Sequence, residues 1–112
     1  MQVVSPADVE SVEAEDGVYP AQLFSGEEMN VQHFRFDPGA SASEHSHPNE
    51  QVGFVHTGTL TMHVEGETYE VEAGDCLLIP GGIPHAAENR GDEPVEGIDV
   101  FSPPREGTPW DE

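Results

Sequence analysis

Glycine and proline set the grain of this chain. Its 112 residues include 12 Gly and 10 Pro, recurring at short intervals: Gly39, Gly58, Gly66, Gly74, Pro80, Gly82 and Pro84. Proline removes a helical hydrogen bond and glycine weakens a helix through backbone entropy, so a long helix has nowhere to form. Strands of about 5–6 residues fit between the breaks. The apolar pattern predicts strands over Val18–Phe24, Met29–Phe36, Val52–His56, Thr59–Glu65, Thr68–Glu72, Cys76–Ile79, Pro84–Asn89 and Val95–Phe101. In Thr59–Glu65, Leu60, Met62 and Val64 take one face, and Thr61, His63 and Glu65 the other. Glu65-Gly66-Glu67 reads as a hairpin turn and Ala73-Gly74-Asp75 as the next turn. Many short strands with closely spaced turns make a small antiparallel all-β domain, a sandwich or a barrel.

The length suits one domain over residues 1–112, with 1–17 as an acidic N-terminal arm. Residues 5–17 read as a loose segment or one short helical turn. The chain carries 23 Asp and Glu against three Arg and no Lys, a formal net charge of −20. That excludes nucleic acid as a general partner, because phosphate binding needs clustered cations. It also argues against an anionic membrane surface. No apolar run approaches the ~18 residues that span a bilayer, and the start MQVVSPADVE lacks a basic and an apolar region. The expected location is the cytoplasm. Cys76 is the single cysteine, so no internal disulfide forms, and it reads as a small core residue.

Six histidines are many for this length. His45 and His47 stand at i and i+2 in GASASEHSHPNEQ, and an extended segment puts both imidazoles on one face. Such a pair can chelate a first-row divalent ion. Gln51 opens the next strand, where it can point at the same spot. His85 follows a Pro-Gly-Gly turn in IPGGIPHAAEN. At the C-terminal end, Val95, Gly97, Asp99 and Phe101 share one strand face. If that face is interior, Asp99 is a buried acid and a candidate acid/base. Arg105, after Pro103-Pro104, either reaches over the mouth or joins a rim salt bridge.

Residues 39–58 and 74–89 closely resemble the two signature motifs of the cupin superfamily. The first reads Gly39, His45-x-His47, Gln51, Gly58. The second reads Gly74, Pro80-x-Gly82, His85, Asn89. Gln51 stands where most cupins carry Glu. The resemblance implies a single cupin domain, a double-stranded β-helix or jelly-roll barrel, with one divalent transition metal ion (Ni, Zn, Mn or Fe). Carried over by position, its ligands are His45, His47, Gln51 and His85. A neutral amide leaves the centre more positive than a carboxylate would, which favours a Lewis acid over high-valent iron. His33, His56 and His63 have no assigned role.

HSHPNEQ, the Gln ligand and the terminal DVFSPPRE together resemble the KdgF-type proteins of pectin and alginate breakdown. That likeness implies conversion of 4,5-unsaturated monouronates to linear keto-uronates. It gives Asp99 and Arg105 catalytic roles, with Phe101 and Arg105 on the substrate. The alternatives are a metal-dependent cupin dioxygenase and a non-catalytic sugar- or effector-binding cupin. Ile98 and Val100, on the outer face of their strand, need cover, so the expected assembly is a homodimer.

Charge density supplies the first testable expectation. A −20 domain repels itself at low ionic strength, whereas at molar salt the Debye length falls to ~3 Å. The composition suits a very salty cytoplasm. The melting temperature is expected to fall as KCl drops from molar to millimolar, with NaCl acting alike. A flat profile contradicts self-repulsion.

Overall fold

The computed structural model describes residues 1–106; residues 107–112 of the expected domain lie outside the described residues. After a single 3-10 turn, Pro6–Asp8, the described residues form nine strands: β1 (Val18–Ser25), β2 (Asn30–Phe36), β3 (Ser41–His45), β4 (Glu50–Thr57), β5 (Thr59–Val64), β6 (Glu67–Glu72), β7 (Cys76–Ile79), β8 (His85–Glu88) and β9 (Val95–Ser102). They make two antiparallel sheets, ordered β1-β2-β9-β4-β7 and β3-β8-β5-β6. This is the jelly-roll architecture. No helix among the described residues is long and apolar enough to cross a membrane.

The inner faces of the two sheets supply one core. Val18, Phe34, Phe36 and Val55 from the larger sheet meet Leu60, Met62 and Val71 from the smaller. Alternation does the sorting: β9 is buried at Val95, Gly97, Asp99 and Phe101, with Glu96, Ile98 and Val100 half-covered outside. The β5–β6 hairpin closes through Glu65-Gly66, both at positive φ (52° and 80°), with Val64 opposite Glu67. That is the type I′ geometry whose twist matches paired strands. Thr61 is on the polar side of β5 yet is buried, because its hydroxyl bonds the Glu70 carboxylate folded over it.

Two expectations change. The apolar pattern predicts no strand between Phe36 and Gln51, but Ser41–His45 pairs with β8. Its residues are mostly polar and exposed, so no apolar alternation marks it. Cys76 is exposed rather than in the core, because β7 turns Cys76 and Leu78 outward. The arm is tied down from Val12 onward, with Val12 N–H bonded to Pro20 O and Ala14 N–H to Val18 O.

The outer face of the larger sheet carries an unbroken apolar row. Phe24 lies opposite Val31, Val31 opposite Val100, Val100 opposite Val52 and Val52 opposite Leu78, crossing all five strands. Ile98 and Phe54 pair in the next row. Ile98 and Val100 are only half-exposed; the open area belongs to their neighbours, with Leu78 61% exposed. Neither the five-residue row nor the Ile98–Phe54 pair includes an acid, so two copies of a −20 chain can meet there without setting carboxylates face to face. The homodimer is therefore proposed on this row. Light scattering in molar KCl is expected to return twice the 12.1 kDa chain mass. A 12 kDa species would remove the proposal.

Candidate metal centre and active site

Strand register brings the histidines together. His45 ends β3 directly opposite His85, which opens β8. Their rings lie 4.5 Å apart, and His47, two residues beyond β3, sits 5.8 Å from His45 and 5.1 Å from His85. The two motif loops are knitted together as well. Gly82 N–H donates to His47 O at 2.8 Å, and a Cβ on Gly81 would fall 2.2 Å from Pro48 O. Only glycine allows that approach.

Each imidazole is held by a backbone carbonyl. His45 Nδ1 meets Ser43 O at 3.0 Å, His47 Nδ1 meets Asn49 O at 3.1 Å, and His85 Nδ1 meets Ile83 O at 2.8 Å. A carbonyl can only accept, so Nδ1 carries the proton in all three rings. The Nε2 lone pairs are left for a ligand. Burial pushes the His47 and His85 pKa values down, which keeps those rings neutral as metal ligation requires. Candidate ligand atoms of the three histidines all lie within 4.8 Å of one another.

Gln51 Oε1 lies 3.1 Å from His47 Nε2. In the tautomer above both atoms are acceptors, and a cation between them would satisfy both. His85 Nε2 is buried with no partner. The donor set therefore fits a divalent transition metal, with three imidazoles available to hold it.

Asp99 and Arg105 share a cavity with His45 and His85. Its volume is about 320 Å³, and its lining includes His45, His85, Gln51, Asp99 and Arg105, the carboxylates of Glu15 and Glu44, and the Phe101 ring. Phe34, Phe36, Leu60 and Met62 line its apolar part. Asp99 is buried, and desolvation lifts its carboxyl to about 6 against hydrogen bonding from Gln32 and Gln51 and the charge of Arg105. Gln51 thus acts with Gln32 to lower the Asp99 pKa while its oxygen faces His47. A carboxylate at 51 would face Asp99 with like charge.

Arg105 places its guanidinium carbon 5.3 Å from the centre of the Phe101 ring. Arg35 and Arg90 pair with Asp37 and Glu88, but among the described residues Arg105 makes no salt bridge. Burial pulls its pKa down while Asp99 acts to raise it.

Several contributors carry no recognisable sequence signal. Asn49 donates its side-chain amide to Pro103 O, and its own carbonyl holds His47. Asn30 Oδ1 accepts Arg105 N–H at 2.7 Å. Two buried asparagines thus strap the Arg105 segment beside the histidines. Glu15 accepts hydrogen bonds from both Ser43 N–H and the Ser43 hydroxyl, and Ser43 O in turn grips His45. His33, His56 and His63 lie away from the centre. His33 is 3.4 Å from Glu96 and stacks near His56, and His63 bonds Glu88.

Metal content tests this geometry. His85→Ala is expected to abolish divalent-metal binding, measured by mass spectrometry after dialysis. Glu15→Ala, which removes support one step behind His45, is expected to weaken affinity ~10-fold in competition with a chromophoric chelator. Unchanged affinity in both would contradict the assignment.

Residues 32–101 match the family model described as the cupin domain. TcmJ, a tetracenomycin polyketide synthase protein of Streptomyces glaucescens, is 33% identical over 72 residues, 63% of this chain and 48% of that protein. The chain thus spans about half the length of that relative. An uncharacterised protein of Streptomyces coelicolor is 31% identical over 91 residues, 81% of this chain and 85% of its own. Among solved structures, KdgF from Halomonas sp. superposes with a TM-score of 0.85 at 24% identity, covering 95% of this chain and 96% of that one. That last likeness is one of fold. From the matched motifs and the shared architecture, the chain belongs to the cupin domain family.

Proposed function

We propose that this cupin is a metal-dependent enzyme that opens and ketonises 4,5-unsaturated monouronates from pectin or alginate breakdown. The observation that carries the reading is one cavity lined by His45 and His85 of the three-histidine cluster, a buried carboxylate at Asp99, and the guanidinium of Arg105 without a carboxylate of its own among the described residues. A uronate supplies the missing carboxylate.

A divalent ion held by His45, His47, His85 and Gln51 supplies Lewis-acid polarisation of substrate oxygens when bound. The remaining work falls to side chains. Arg105 clamps the substrate carboxylate in a bidentate pair, and Phe101 packs on the sugar ring. The cyclic hemiacetal opens to an aldehyde and an enol. Asp99 delivers a proton to C4 and accepts the enol O–H proton, leaving the 5-keto acid. Atoms balance as an isomerisation, and no oxidant is consumed.

A second reading follows from the apolar part of the cavity. Phe34, Phe36, Leu60 and Met62 suit a flat ring substrate, and TcmJ is a polyketide synthase protein. Metal-assisted cyclisation of a polyketide is that alternative.

The test is loss of the conjugated-alkene ultraviolet absorbance when metal-loaded protein meets unsaturated monouronate. Turnover is expected under anaerobic conditions, which a dioxygenase would not give. Arg105→Ala is expected to lower kcat/KM about 10²-fold or more, and Arg105→Lys to recover little of it. Asp99→Asn is expected to lower kcat with KM and bound metal little changed. Full parent activity in both variants, or no turnover by the parent, would sink the uronate reading.

A further inference from the structure

Among the described residues, only two buried side-chain polar atoms lack a hydrogen-bond partner: His85 Nε2 and Gln32 Oε1. Both residues line the same cavity. The other buried amides show what satisfaction looks like here. Asn89 donates to Phe36 O and Glu93 O and accepts from Gly91 N–H. Asn30 accepts from Arg105 and donates to Gln22. Native interiors leave few such atoms unpaired, so each one asks for a ligand. The metal accounts for His85 Nε2. Gln32 Oε1 needs a different occupant.

The chemistry of that occupant is narrow. Gln32 is only 7% exposed and stands directly opposite Asp99 in the β2–β9 register. Its Nε2 donates to Asp99 Oδ2 at 3.1 Å, so turning the amide over would break that bond. Oε1 is an acceptor alone and requires a donor. A substrate carboxylate cannot serve, but a sugar hydroxyl can. On the uronate reading, Asp99 delivers its proton to C4, and the hydroxyl next to C4 is that on C3. We infer that Gln32 is a specificity-determining residue whose Oε1 accepts a hydrogen bond from the C3 hydroxyl of the substrate. This inference rests on the uronate reading above. One amide would then read the substrate with its oxygen and orient Asp99 with its nitrogen.

The experiment compares kcat/KM for unsaturated monouronate with its 3-deoxy and 2-deoxy analogues, in the parent, Gln32→Met and Gln32→Asn. Leaving a buried acceptor unsatisfied should make the parent discriminate against the 3-deoxy analogue by about tenfold to a hundredfold. In Gln32→Met that ratio should fall to about one, while discrimination against the 2-deoxy analogue stays at the parent value. Gln32→Asn, with the amide one methylene further back, should also lose most of the 3-deoxy ratio, and it carries the comparison if the Met variant does not fold. If the variants discriminate as the parent does, Gln32 Oε1 faces only water and the inference is overturned, with the uronate reading intact. If the parent turns over none of the three compounds, the uronate reading falls and takes this subsite with it.

Discussion

Three backbone carbonyls decide what this cavity can do. By accepting Nδ1–H from His45, His47 and His85, the carbonyls of Ser43, Asn49 and Ile83 turn every Nε2 lone pair inward. Each carbonyl lies two residues from the ring it holds, so the grip is local and depends on the bends on either side of the strands. The rest of the molecule can be read as support for those bends. Glu15 holds Ser43 from the arm, Gly82 holds the His47 carbonyl, and the close contact of Gly81 with Pro48 locks one motif loop against the other. The two sheets supply the rigid frame that places His45 opposite His85.

Charge explains why the site is arranged around so few cations. A chain at −20 repels anions from its surface. Of its three arginines, two are neutralised by surface carboxylates, and the third lies half-buried over Phe101 beside the histidines. Burial strengthens that single cation by removing solvent screening, and it lifts Asp99 to about 6. The polar end of the cavity thus sets one half-buried cation, Arg105, against Asp99 beside the histidines. Gln51 fits that balance better than a glutamate would, since it can face a metal with oxygen and Asp99 with nitrogen.

The architecture was largely legible in the sequence, because it depends on periodicity and on turn residues. Eight strands follow from apolar alternation and Gly or Pro breaks, and the inward face of Val95–Phe101 was readable from spacing two. What stayed hidden has physical reasons. Strand β3 is polar and exposed, held by pairing to β8 rather than by an apolar face. The outward turn of Cys76 follows from the register of β7 on β4, which no local pattern encodes. Gln32, Asn30, Asn49 and Glu15 act through partners up to 75 residues away in the chain. A lone polar residue gives no hint of such a partner until the strands are paired.

The account stands on one arrangement, a single divalent ion held by three imidazoles through Nε2. X-ray absorption fine structure of the nickel-loaded protein tests it most directly. The account predicts one ion per chain, a first shell of nitrogen and oxygen only, and outer-shell scattering from three imidazole rings that is lost in part when His45 is replaced by alanine. A shell with no imidazole scattering, or one unchanged by His45→Ala, would contradict it.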